Sequence, residues 1–405
     1  MQKLDIVLMK INNTAVGRKK IPINNSNYIA YQRDESIILF HKKNCDLNVL
    51  SGISAWIFLM IDDDIPYNEV SKKAGDLDNF ELIYSQMQKL HHSPSSKDNR
   101  YRQEFDNILD TEAKKFYSYD SSESIHLSIA NRKVHIFSKN EELIIKCKQF
   151  FQVFTRTDTS TSRFNFEIIF SNNSIYIYIY CNTIFLAKMT DIKEFMPVFV
   201  DHIQNILYQS TNYLLSFHSA SLAKENSALL IPGTSGSGKS TLCMGLINNG
   251  FRCFSDEISV ISLSKQLLSI PLPASIKTGS WKLFENIYPE LKTAEKWYRK
   301  DGRILKYLHI PKNKFPSVEQ EKNITSYTII FPHYNEHCKS ITSKKLNGIH
   351  ILAELTRSGY QIKHELSKEK LEKIFDWLDN IKAYTICYSS QEEAQQFVKK
   401  VMRKN

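Results

Sequence analysis

The chain has 405 residues, 42% hydrophobic and 12% aromatic, enough for two or three domains with sizeable cores. No apolar run approaches the roughly 18 to 20 residues of a membrane helix, the start MQKLDIVLMKI lacks the apolar core of a signal peptide, and the seven cysteines form no CxxC pair, so the composition suits a cytoplasmic protein with reduced thiols. The net charge of +10 allows nucleic acid or phosphorylated ligands, but residues 62–90, the part most like a helix-turn-helix, carry seven acids against three lysines and should repel DNA.

Residues 27–42 alternate β-branched and aromatic residues and predict a hairpin. Val49, Ile53, Trp56, Ile57 and Met60 then share one helical stripe, DDDIP makes a turn, and short helices follow near 67–74 and over Phe80, Ile83, Met87 and Leu90. This outlines a small winged-helix-like domain over 1–95. The polar stretch HHSPSSKDNRYRQ, residues 91–103, reads as linker, and the linker is placed at 96–120. Residues 121–215 form a β-rich segment. In SIYIYIYC, Ile175, Ile177 and Ile179 point one way and Tyr176, Tyr178 and Tyr180 the other; a half-buried sheet face is the commoner meaning of such a pattern than a base-stacking platform. A helix near 191–214 leads into a last domain, 216–405. It holds strands near 252–255, 258–263 and 326–331, an amphipathic helix through Leu371, Phe375 and Leu378, and a final strand and helix in which Ser390 and Glu393 have capping-box spacing. The fold class is α/β.

The most informative stretch is LLIPGTSGSGKSTL, residues 229–242. Gly233, Thr234, Ser235, Gly236, Ser237, Gly238, Lys239 and Ser240 fit G-x-x-x-x-G-K-[ST], with Thr241 next. Glycines let backbone N–H groups approach phosphate oxygens. Lys239 would place a charge between the outer phosphates, and the Ser240 hydroxyl would complete a magnesium shell. An apolar strand precedes the motif. A helical stripe of Leu242, Cys243, Leu246 and Ile247 follows it and stops at Gly250, which places the positive end of a helix at the anion. Residues 265–323 add twelve Lys/Arg against six acids, a surplus where a polyphosphate would want it, although a solvated surface is the commoner role of any one of them.

Asp256 and Glu257 close the strand RCFSDE, where an acid could hold metal or accept a proton from an attacking hydroxyl. Carboxylates at strand ends are also common without function. His218, in LLSFHSASL, is by spacing alone more often a core histidine.

Taken together, FHSASLAKENSALLIPG, FRCFSDE, IPLPASIKTGSW and TIIFPHYN resemble the HPr kinase/phosphorylase family, and more closely its HPr-kinase-related members, over about residues 121–405. The resemblance implies a P-loop kinase domain that uses ATP and Mg2+. It implies Asp256 as general base, His218 as its partner, Glu257 with Ser240 at the metal, and Lys277 near the transferred phosphate. The second signature of HPr kinases, rich in Arg, Gly, Ile and Asn, is absent, which points away from HPr as acceptor. HPr kinases form hexamers, so a homo-oligomer fits the likeness. Residues 48–92, NVLSGISAWIFLMIDDDIPYNEVSKKAGDLDNFELIYSQMQKLHH, resemble the PqqD family of peptide-binding domains, in which a leader peptide adds to a sheet edge; here that edge would come from residues 27–42.

The expected function is therefore transfer of the γ-phosphate of ATP to a hydroxyl, on a Ser or Thr of a peptide or protein recruited by the N-terminal domain, without nucleic acid or membrane partners. Two alternatives share these residues: a nucleotide-gated peptide-binding module without kinase activity, and a kinase of a small hydroxylated metabolite. A GTPase switch lacks an N-K-x-D stretch for guanine.

Overall fold

The structure is a computed structural model that describes residues 19–33, 36–42, 46–75, 77–92, 123–158, 160–170, 176–234, 236–363 and 367–403. The linker expected at 96–120, Ile175 of the alternating strand and Ser235 of the glycine-rich motif lie outside the described residues. The fold is mixed α/β in two compact units. One comprises Met1–Asp98 with Leu346–Ile381, the other Asn99–Lys345 with Lys382–Asn405.

In the first unit β1 (Lys19–Ile21), β2 (Tyr28–Arg33), β3 (Ser36–His41) and β4 (Leu47–Ser51) form an antiparallel sheet in chain order. The hairpin expected at 27–42 is β2–β3. These are the two central strands, so the expectation that this hairpin supplies a free edge is corrected: among the described residues the sheet's edges are β1 and β4. The expected helices follow as α1 (Gly52–Asp62), α2 (Tyr67–Ala74) and α3 (Phe80–His91). Ile37 and Leu39 pack with Phe58, Leu59 and Phe80 on one face. Asp62, first of the DDDIP run, is buried; it accepts hydrogen bonds from the backbone N–H groups of Asn24 (2.6 Å) and Asn25 (2.8 Å) and contacts His91 Nε2 at 3.1 Å. One carboxylate thereby ties the β1–β2 turn to the end of α3.

The strand period of two sends Tyr31, Ile38 and Phe40 to the opposite face, yet they too are buried. Phe375 of the helix Lys368–Asp379 meets Tyr31 and Phe40 edge-on at 5.2 and 5.8 Å, and Tyr31 Oη lies 3.4 Å from Glu372 Oε1. The backbone N–H of Leu47, on β4, donates to Tyr360 Oη. Residues 346–381 therefore belong to this unit, whereas the sequence reading ran 216–405 as one domain. An amphipathic helix shows that it needs a partner, not which sheet supplies it.

The second unit opens with a sheet of β5 (Glu123–Ile129), β6 (Arg132–Ser138), β7 (Phe164–Phe170), β8 (Ile177–Cys181) and β9 (Ile184–Met189), paired in that order. Only β6–β7 is parallel, bridged by α4 (Glu141–Phe150). Ile177 and Ile179 are buried while Tyr178 and Tyr180 are half-buried, as the alternation predicts; Lys188 Nζ covers the ring of Tyr176 at 3.6 Å. The helix α5 (Phe195–Gln209) follows. One core joins Phe151, Phe166 and Phe199 of this segment to Tyr213, Val260, Leu272 and Tyr307 beyond it. The boundary expected after residue 215 falls inside β10 (Tyr213–Lys224), because the same core continues across it.

Next come β11 (Ser227–Pro232), α6 (Lys239–Asn248), β12 (Arg252–Ser255), β13 (Ile258–Ser262), β14 (Leu267–Leu268), β15 (Ala274–Lys277), β16 (Trp297–Tyr298), β17 (Ile304–Leu308), β18 (Ser326–Tyr334), β19 (Thr342–Leu346) and β20 (Ile381–Tyr388). The second sheet runs β14-β13-β10-β11-β18-β20-β19, with β12 also paired to β10; β15, β17 and β16 form a small third sheet. β11 is antiparallel to β10 and parallel to β18. The apolar stripe of α6 (Leu242, Leu246, Ile247) shares a core with Ala394 and Val398 of the last helix, Gln391–Met402. Among the described residues no helix is long and apolar enough to cross a membrane.

Candidate functional site

The glycine-rich motif spans the end of β11 and the start of α6. Ser237 donates its N–H to Thr234 O at 3.2 Å, and Leu242 donates to Gly238 O at 2.9 Å, so the helix starts where the sequence predicts. Gly238 has φ 89°, ψ 4°, a left-handed conformation that side chains resist. A Cβ there would run into Tyr388 Oη and lie 3.2 Å from Tyr334 Cβ; one on Gly233 would strike Ser237 Oγ. Tyr334 also donates its N–H to Ser237 O at 3.1 Å. The ends of β18 and β20 thus grip the loop, at which α6 begins with first-turn N–H groups that have no intrahelical acceptor.

His218 stands mid-strand on β10, opposite Ile258 of β13. Asp256 and Glu257 occupy the break between β12 and β13, both of which pair with β10. Ser255 Oγ accepts from Glu257 N (3.4 Å) and Ile258 N (3.2 Å), and Ser219 N–H donates to Glu257 O (3.1 Å). These bonds hold the acidic break beside His218.

Three side chains then converge. Lys239 Nζ is 3.0 Å from His218 Nε2 and 3.6 Å from Glu257 Oε2, and His218 Nδ1 is 3.4 Å from Glu257 Oε1. An ammonium only donates, so Nε2 accepts and the imidazole proton sits on Nδ1, facing Glu257. The expected pairing of His218 with Asp256 is therefore corrected. The partner is Glu257, because Asp256 turns inward: it is 6% exposed, and its Oδ1 has no hydrogen-bond partner.

Burial and Lys239 push the His218 pKa down, which keeps the ring neutral. Burial also pushes Asp256 up to about 6, despite the opposing pull of Lys239, Lys277 and the Cys243 thiol. For Glu257, burial would raise the pKa, but Lys239, His218, Lys277 and Arg299 outweigh it and hold the carboxyl below its usual range. One acid of the pair is thus a ready anion and the other is poised near neutrality.

A cavity of about 570 Å3 opens in front of the loop. Its walls include Thr234, Gly236, Gly238, Lys239, Ser240 and Thr241, so the motif residues gather as expected. His218 and Lys277 line it as well. Asp256 and Glu257 line a smaller void of about 30 Å3 instead, with Asp201, Arg299 and Tyr307. Of the basic surplus at 265–323, Lys277 reaches the large cavity. Lys306 is buried against Glu285 (3.3 Å) and Trp281, Arg299 pairs with Asp201 (2.8 Å), and Arg303 with Asp301.

The sequence reading missed Tyr334, Ser389 and Gln391, which close the cavity from β18 and beyond β20. No local pattern marks them; only the adjacency of β11, β18 and β20 brings them to the loop. Among the described residues no group of three or more His, Cys, Asp and Glu forms a metal cage. The chain matches no protein-family model and no curated protein sequence, so the site rests on its own geometry.

Proposed function

We propose that the chain is an ATP-dependent phosphotransferase of the P-loop, HPr-kinase-like type, acting on a hydroxyl of a peptide or protein recruited by an N-terminal winged-helix, PqqD-like domain. The observation that carries this is the triangle of Lys239, His218 and Glu257, of which Lys239 and His218 line the cavity shaped by the glycine-rich loop. Lys239 meets the outer phosphates and gives up its contacts to His218 and Glu257 as it does so. Glu257, ionised and oriented by His218, takes the acceptor's proton; it is half-buried, whereas Asp256 is buried. That reassigns the base from Asp256 to its neighbour.

A magnesium ion fits the donor set. It keeps several waters and takes substrate phosphates, so one or two carboxylates and a hydroxyl suffice. The unpartnered Oδ1 of Asp256 is an acceptor without a donor, and with Ser240 it would hold the ion, which when bound would neutralise phosphate charge. Lys277 steadies the phosphate from β15.

The test is transfer from radiolabelled MgATP to a library of Ser- and Thr-containing peptides, including any short peptide encoded beside this chain. Labelling that requires Glu257 and Lys239 supports the reading. A second reading, a nucleotide-gated binding module, is favoured by the absence of both acids from the walls of the large cavity; binding of ATP without labelling of any acceptor would establish it.

A further inference from the structure

We propose that Cys338 and Cys387 form a reversible disulfide site: a low-molecular-weight disulfide of the glutathione class oxidises the pair, and the bridge staples together the two strand ends that hold the glycine-rich loop. Thiol exchange at this place is independent of what the loop binds.

Of the free cysteines among the described residues, Cys147, Cys181, Cys243 and Cys253 are buried, whereas Cys338 and Cys387 are half-buried. A thiol must be reached to react, so these two are the ones open to an oxidant. Cys387 lies on β20 beside Tyr388, whose hydroxyl abuts Gly238. Cys338 lies in the turn after β18, whose last residue, Tyr334, donates its N–H to Ser237 O. That turn is fastened to β20. Asn335 N–H donates to Tyr388 O at 2.9 Å, Cys338 N–H donates to Asn335 O at 3.0 Å, and Ser389 Oγ donates to Cys338 O at 2.7 Å. Cys387 and Ser389, two apart, share one side of the chain, so the bond from Ser389 holds Cys338 on the side of Cys387. The two thiols share a hydrogen bond and are neighbours before any oxidant arrives. Cys243 and Cys253 also share a thiol hydrogen bond, but burial shuts them from solvent and makes them an internal control.

The hydrogen bond to Cys387 holds the Cys338 thiol above its ordinary pKa, so Cys387 attacks first. Its thiolate bonds to one sulfur of the small disulfide and expels the other as a thiolate. Cys338, after losing its proton, attacks the Cys387 sulfur of the mixed disulfide, and the second small thiolate leaves. The two protons pass through solvent to the expelled thiolates. Two protein thiols are oxidised, one small disulfide is reduced to two thiols, and excess dithiol runs the sequence backward. The bridge closes a loop that carries residues 346–381 of the first unit. Closing so long a loop restricts the unfolded chain and stabilises the folded one.

The test is to incubate the reduced full chain with oxidised glutathione, block remaining thiols by alkylation and map every cysteine by peptide mass spectrometry. Cys45, outside the described residues, is mapped in the same way. The expected product joins Cys338 to Cys387 within one chain, leaves Cys243 and Cys253 alkylated only after unfolding, and disappears on treatment with dithiothreitol. Cys338→Ser should instead hold a glutathione adduct on Cys387, which the resolving thiol removes in wild type. The bridged protein should unfold about 5 °C or more above the reduced one, a rise absent from Cys338→Ser treated alike. Separate glutathione adducts on the two cysteines, bridges to other cysteines or between chains, or no reaction at either residue would overturn the site. A bridge that leaves the unfolding temperature unchanged or lower would overturn the staple.

Discussion

The ammonium of Lys239 and the imidazole of His218, 21 residues apart in sequence, are in contact at 3.0 Å. The motif lysine is therefore not idle before a ligand arrives. Its charge is shared between a neutral ring and Glu257, contacts it would give up to meet a phosphate.

Replacing Lys239 by Met tests that sharing. Lys239 is the second cause, after burial, that holds the His218 pKa down, so its removal should move that pKa partway back toward 6.5. The measurement is the NMR titration of the His218 ring. Nucleotide affinity should fall by about tenfold or more in the same variant, the loss of one charge-assisted contact.

The two acids should separate by substitution. Glu257→Gln should lower transfer by about a hundredfold or more while leaving MgATP binding within a few-fold of wild type, the loss expected for a general base. Asp256→Asn should instead raise the magnesium concentration needed for half-maximal binding. Equal transfer rates in Glu257→Gln and wild type would return the base role to Asp256 or remove it.

Asp256 also makes a stability prediction. Its folded pKa lies near 6, above the ordinary 3.8, so the folded protein binds the proton more tightly than the unfolded chain. Stability should then fall as pH rises from about 3.8 to about 6, and the loss is complete above that window. Asp256→Asn, which mimics the protonated form, should gain on the order of 2–3 kcal/mol at pH 8 and little at pH 4. Denaturant melts at the two pH values decide it. Activity should show an acidic limb near pH 6 that the variant lacks.

Gly238→Ala should abolish nucleotide binding and destabilise the unit by about 1–2 kcal/mol from backbone strain alone, with a further loss from the collision with Tyr388 Oη. Adding Tyr388→Phe removes the colliding atom. The double variant should be more stable than Gly238→Ala alone, an inversion measurable in a double-mutant cycle.

In the first unit, Phe375→Ala should cost about 3–5 kcal/mol, because its ring covers Tyr31 and Phe40. A fragment ending at residue 98 leaves that face bare and should not give a dispersed NMR spectrum. Supplying residues 346–381 in trans should restore it.

What the sequence disclosed follows from how local each signal was. The loop at 233–241, the helix after it and the hairpin at 27–42 are written in consecutive residues, and they stand where expected. Long-range choices were not legible. That Phe375 covers Phe40, that His218 touches Glu257 in place of Asp256, and that Tyr388 abuts Gly238 all depend on strand order and on which way one carboxylate turns. The basic surplus after the loop misled for the same reason: composition counts Lys306 and Arg299 as available, and packing spends them on Glu285 and Asp201.

The hydroxyl of Tyr388 against Gly238 carries a consequence for how the molecule is made. During synthesis the loop emerges long before β20, so a nascent chain halted before residue 388 owns the glycines and the lysine but only one of the two strand ends that hold them. Competence for anions would arrive late and abruptly, when the final strand docks, and a truncated product would stay inert although its motif is intact.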